Sequence, residues 1–209
     1  MRNTTVDFEV GAGETFSPVI RWGSDLLMSK AITGLTNAFP AVITSATHGV
    51  PSGWDVAVVS VKGMLQVNAT HFPPRGADWH KATTDTNTIT LDKVNTSDYP
   101  VRTGNTGWVV YNSPKDLAAA TVNMIIRDAP TGGTVLHTLT ELAGITVNNT
   151  LKTITPTLET SALTWTLGYF DLEVTISARV YQILSGTIAI VSNGAGVQPV
   201  LGVTVVDGV

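Results

Sequence analysis

The chain has 209 residues, of which 43% are apolar and only 13% charged, with a formal net charge of −4 and no cysteine. That length suits one large β domain or two small ones, and the apolar share excludes global disorder. Scattered Lys and Arg on an acidic chain exclude a phosphate grip on nucleic acid, and the missing thiols exclude disulfides and thiolate metal sites.

A charged fraction about half the usual quarter leaves a Thr-, Ser- and Asn-rich surface, which favours burial against partners. The first ten residues hold no apolar core of signal-peptide length, and no stretch approaches the about 20 apolar residues of a membrane span. The expectation is a protein made in a cytoplasm, without membrane insertion.

In chain order, Gly11-Ala-Gly-Glu-Thr-Phe-Ser-Pro-Val-Ile-Arg-Trp22 reads as an opening strand with no partner nearby. Its continuation, residues 114–127, comes only after a Thr/Val-rich block with its own turns. Within that block, residues 31–36, 41–44, 55–61 and 88–91 read as strands punctuated by His48-Gly49, Pro51-Ser-Gly53 and Gly63-Met64. Between Phe72 and Thr84, Pro-Pro-Arg-Gly-Ala-Asp-Trp-His fits neither helix nor strand and reads as an exposed loop tip.

Downstream, Val122, Met124 and Ile126 alternate along residues 121–127, and residues 134–139 form a further strand. Residues 144–147 and 151–155 flank Asn148-Asn149, a pair suited to a tight turn. Residues 160–167 are the one predicted helix, stopped by Gly168. Phe170, Leu172, Val174 and Ile176 share one strand face, opposite Asp171, Glu173 and Thr175. After a turn at Ser177-Ala178, residues 179–184 and 186–191 read as two more strands, and residues 193–209 as a β-prone C-terminal arm that closes the host sheet or reaches a neighbouring copy. The predicted architecture is all-β: a discontinuous β-sandwich host (1–30 and 112–192) carrying an inserted small β-barrel module (31–111).

The outer segments resemble the N-terminal domain of the phage baseplate upper protein family. The resemblance rests on Gly13-Glu-Thr-Phe16, Ile20-Arg-Trp22, Asp116-Leu-Ala-Ala-Ala-Thr-Val-Asn-Met-Ile-Ile-Arg127, Gly144-Ile-Thr-Val147, Thr153-Ile-Thr155, Ala162-Leu163, Gly168-Tyr-Phe-Asp-Leu172 and Leu184-Ser-Gly-Thr-Ile-Ala-Ile190. It implies a virion component at the tail tip or baseplate, an adaptor for receptor-binding proteins. The insert is similar to the first catalytic-cysteine half-domain of ubiquitin-activating enzymes, through Ile32-Thr-Gly-Leu-Thr36, Pro40-Ala-Val-Ile-Thr44, His48-Gly49, Gly63-Met64, Asn68, Phe72 and Thr88-Ile-Thr-Leu91. Without cysteine, only the fold carries over, and Pro73-Pro74 stands where that pattern has a strand.

Chemistry-bearing motifs are sparse. His48, His71, His80 and His137 show no metal-ligand spacing, no Gly-x-Ser-x-Gly elbow or phosphate loop occurs, and nothing calls for a cofactor. Asp92, Asp98, Asp116, Asp128 and Glu141 sit at element ends, where carboxylates cap turns. Trp22, Trp54, Trp108 and Trp165 read as packing residues. The candidate contact surface is the loop bearing Phe72, Arg75, Asp78, Trp79 and His80, with Trp79 as anchor against an alternative in which it folds back on its own barrel. The expected function is a non-enzymatic virion protein that contacts tail, fibre or baseplate components as a symmetric homo-oligomer. A capsid decoration protein and a carbohydrate-binding adhesin are the rival readings.

Overall fold

The structure, a computed structural model, describes residues 4–192 and 202–206. In chain order the strands begin with β1 (Thr4–Thr5), β2 (Phe8–Gly11), β3 (Thr15–Phe16), β4 (Val19–Ala31), β5 (Gly34–Leu35), β6 (Ala41–Thr44), β7 (Trp54–Val59), β8 (His80–Thr84) and β9 (Thr88–Leu91). They continue with β10 (Trp108–Pro114), β11 (Thr121–Arg127), β12 (Val135–Thr140), β13 (Ile145–Asn148), β14 (Thr153–Pro156), β15 (Leu158–Glu159), β16 (Leu167–Ile176), β17 (Arg179–Val191) and β18 (Gly202–Val206). The only helical pieces among the described residues are single 3-10 turns at Leu65–Val67, Gly76–Asp78 and Thr160–Ala162. The protein is all-β.

The chain divides into two compact units, Met1–Gly23 with Pro114–Val209, and Ser24–Ser113. The first is a sandwich. One of its sheets runs β1–β17–β16–β11–β12, with β2 also on β17. β1 and β2 follow one another along the same side of β17, both parallel to it: Thr4 faces Leu184, and Phe8 faces Ile188. The opposing sheet is built from β13, β14, residues 19–23 of β4, and β18. β18 lies parallel to β4 of its own chain, with Val205 opposite Trp22. Residues 193–201 and 207–209 of the predicted C-terminal arm lie outside the described residues.

Alternation explains the core between these sheets. Val122, Met124 and Ile126 of β11 and Phe170, Leu172 and Val174 of β16 turn inward. They meet Ile20 and Trp22 of β4, Ile154 of β14 and Val205 of β18. Phe8 packs edge-on against Phe16 at 5.1 Å and lies 5.6 Å from Phe170. Each such fully buried side chain stabilises the fold by roughly 1.5–3 kcal/mol before entropy is counted.

Three sequence expectations are corrected here. Residues 11–22 are not one strand: β3 pairs with β15, whereas β4 pairs with β14. Residues 179–184 and 186–191 are one unbroken strand, β17, with Gly186 inside it. The predicted helix at 160–167 is a single 3-10 turn, and Leu163 is already extended at φ −85°, ψ 141°. Thr160 ties itself to distant backbone, its hydroxyl reaching the Glu14 carbonyl (2.6 Å) and its N–H the same oxygen (3.2 Å). Those bonds, with β-branched Thr164 and Thr166 following, compete against helix propagation.

The second unit is a small curled sheet in the order β10–β7–β8–β9–β6–β5, antiparallel throughout. It curls almost shut: Ile32 N–H donates to Gly107 O (3.1 Å) beside β10, and the next residue, Thr33, donates to Thr44 O (2.8 Å) on β6. Inside lie Trp54, Val56 and Val58 of β7, Ile89 and Leu91 of β9, Ile43 of β6, and Val109 and Tyr111 of β10. In this unit the buried Thr96 and His48 are hydrogen-bonded. Thr96 donates to Thr36 O (2.7 Å), and Val50 N–H donates to His48 Nδ1 (3.0 Å), which places the His48 proton on Nε2, facing Asp85 O at 2.6 Å.

Candidate functional site

The loop between β7 and β8 is organised around one carboxylate. Phe72, Pro73, Arg75, Gly76 and Ala77 are exposed, as the sequence suggests, but Asp78 is only 7% exposed. Asp78 Oδ1 accepts from Thr70 N–H (2.8 Å) and Thr70 Oγ1 (2.9 Å). Oδ2 accepts from Arg75 N–H (3.1 Å) and from His71 Nδ1 (3.0 Å). The Thr70 N–H, foremost among these donors, holds the Asp78 carboxyl well below the usual carboxylate range, outweighing the opposing effect of burial.

A second brace pins the start of the loop. Asn68 Oδ1 accepts from Val61 N–H (2.7 Å), Asn68 Nδ2 donates to Val61 O (2.9 Å), and Ala69 N–H donates to Val58 O (2.7 Å). Pro73-Pro74 supplies no donors, and no strand resumes until β8. β8 itself starts at His80, a residue whose sequence context predicts loop.

The five predicted contact residues therefore have different surroundings. Phe72 is 71% exposed, and Arg75 is exposed. Asp78 is turned inward and spent on its own loop. Trp79 is half-buried rather than a protruding anchor, and His80 is half-buried at the start of β8, where burial lowers its pKa.

What the sequence reading missed is Trp108. It was placed among packing residues, yet its side chain is 47% exposed. The cause is register: Val109 and Tyr111 of β10 fill the barrel, so Trp108 and Val110 must face outward. Val59 of β7 lies directly opposite Trp108. With Ala69, Thr70, His71 and Phe72 they line an open cleft of about 530 Å³ on the outside of the barrel, joined by Ser29 and Ser60. Phe72 is thus brought together with Trp108, and not with Trp79.

The first unit carries a different surface. β12 ends its sheet, and beyond one bridge between Thr140 and Gly144 its outer edge has no ladder partner among the described residues. A groove of about 650 Å³ runs beside that edge, lined in part by Leu136, Leu158, Leu163 and Trp165. Leu142, in the turn that follows β12, is fully exposed.

Among the described residues no three His, Asp or Glu side chains gather as metal ligands, and no helix is long and apolar enough to cross a membrane. Asp92, Asp116 and Asp128 each accept a nearby backbone N–H, from Thr83, Ala118 and Thr134. No protein-family model matches this chain, and no curated protein matches it significantly.

Proposed function

We propose that this is a non-enzymatic structural protein of a bacteriophage virion, a tail or baseplate adaptor that holds other virion proteins through sheet edges in a symmetric assembly. The observation that carries the assembly role is the β12 edge. Among the described residues no further strand pairs with this edge, which lies beside a largely apolar groove, and Val135 and Leu142 are exposed there. A strand edge of this kind offers main-chain hydrogen bonds to an added strand, and the neighbouring groove takes that strand's alternate side chains. The low charge of the chain supports the same reading, since interface cores are depleted of charged residues. The placement in a phage tail rests on the resemblance of the outer segments to the baseplate upper protein family.

The deciding experiment is quantitative mass spectrometry of purified phage particles, with heads and tails separated. The polypeptide is expected in the tail fraction at a fixed ratio to the baseplate proteins. Recovery with heads would favour a capsid decoration protein, and absence from intact particles would end the virion reading.

A further inference from the structure

The cleft beside Trp108 has the make-up of a small-ligand site. Its volume of about 530 Å³ falls within the range of about 300–1,000 Å³ typical of such sites, and its floor is apolar, from Val59 and Val110. Two aromatic rings border it, both largely open to solvent: Trp108 from β10 and Phe72 from the loop. Its polar lining consists of the hydroxyls of Ser29, Ser60 and Thr70 and the His71 ring.

The chemistry of the lining narrows the ligand. No Lys or Arg lines the cleft, so an anion finds no counter-charge there. No carboxylate lines it either; Asp78 lies behind His71 and is spent on Thr70 and Arg75. A wholly apolar ligand would leave the rim hydroxyls and imidazole without partners. A pyranose matches instead: its C–H face stacks on an aromatic ring, and its equatorial hydroxyls reach outward to the hydroxyl and imidazole groups of the lining.

The wall is also preorganised. Asn68 and Asp78 brace both ends of the loop that carries Phe72, so little ordering remains at the moment of binding. Asp78 Oδ2 holds the His71 ring at Nδ1 (3.0 Å), so the ring is fixed before a ligand arrives. Ser60 is held at φ +60°, a left-handed backbone that a serine adopts at a cost of about 1 kcal/mol. Strain of this sort collects at binding sites.

We propose that the cleft formed by Trp108, Phe72, Val59, Val110, Ser60 and His71 binds a neutral saccharide of one or two pyranose units, stacked on Trp108. This site is separate from the β12 edge, and its failure would leave the adaptor reading standing.

The test uses the full chain on an array of neutral hexose and N-acetylhexosamine oligosaccharides, with sialylated and sulfated glycans as a charged arm. Isothermal titration of the strongest neutral binder follows. At least one neutral saccharide is expected to bind, and Trp108→Ala and Phe72→Ala should each weaken it about tenfold or more, while Trp79→Ala shifts it by less than about twofold. Amide chemical-shift changes in the unsubstituted protein supply a readout independent of variant stability. They should centre on residues 59–60, 69–72 and 108–110. The proposal is overturned by an array with no neutral binder, by binding confined to charged glycans, by shifts centred elsewhere, or by a folded Trp108→Ala variant that binds as before.

Discussion

A β-carbon on Gly186 would collide with the carbonyl of Val6. Gly186 sits inside β17 at φ +149°, at the point where the neighbouring chain leaves β1 and enters β2. Val6 N–H donates to Ser185 O (2.9 Å), and Asp7 accepts from both Thr187 N–H (3.0 Å) and Thr187 Oγ1 (2.7 Å). The two short parallel strands are thus seated on one long one only because this position lacks a side chain.

Gly186→Ala is therefore expected to destabilise the first unit by more than about 2 kcal/mol, because the atom it meets is backbone and cannot rotate away. Urea unfolding should show a lower midpoint. An unchanged midpoint would mean that β1 and β2 do not sit on β17 as described.

The β16–β17 hairpin turns on Ser177 and Ala178, both at positive φ, 50° and 61°. Ile176 and Arg179 face each other across it, which makes a two-residue loop of the type that favours Asn-Gly. Replacing the pair by Asn-Gly should relieve strain and stabilise the protein by roughly 1 kcal/mol, read as a raised Tm. A lowered Tm would contradict the turn geometry.

Asp78 gives a pH dependence with a definite sign. Its carboxyl is depressed, first by the Thr70 N–H, so its contribution is fully present above the unfolded value of about 4 and is lost as pH falls toward the lower folded value. Amide protection factors in residues 70–79, taken relative to the unstructured rate at each pH, should fall as pH drops below about 4, and the Asp78→Ala variant should lack that protection at neutral pH as well. Equal protection in that variant at neutral pH would remove Asp78 as the organiser of the loop.

The β12 edge should be sensitive to charge. Val135→Lys and Leu142→Lys place ammonium groups on exposed positions at and just after the outer edge of β12. They are expected to leave folding intact, within about 0.5 kcal/mol, and to abolish incorporation into particles when supplied in place of the unaltered protein. Normal incorporation of both variants would move the docking surface away from β12.

Much of the sandwich was legible in the sequence because its inward residues alternate cleanly. Phe170, Leu172 and Val174 mark one face of β16. The Asn148-Asn149 pair lies near the β13–β14 turn, but Asn148 still pairs with Thr153, and the positive φ falls on Lys152. β6 and β9 match their sequence expectations residue for residue. The misses have local causes. Residues 160–167 carry helix-compatible spacing, but Thr160 bonds to backbone about 150 positions away, a contact no local pattern reveals. Trp108 looked like core because tryptophan so often is; only the register of β10 against β7 sets its outward face. Asp78 looked like a surface acid because its partners, Thr70 and His71, precede it across two prolines.

The pairing of β18 with β4 has a consequence for synthesis. Residues 24–113 can collapse into their barrel as soon as they leave the ribosome, since every strand of that unit has emerged by then. The sandwich has to wait: the strand beside residues 19–23 is translated some 180 positions later. Until residue 206 emerges, one flank of residues 19–23 stays open, and a nascent chain stalled before that point would expose it to its neighbours on the polysome.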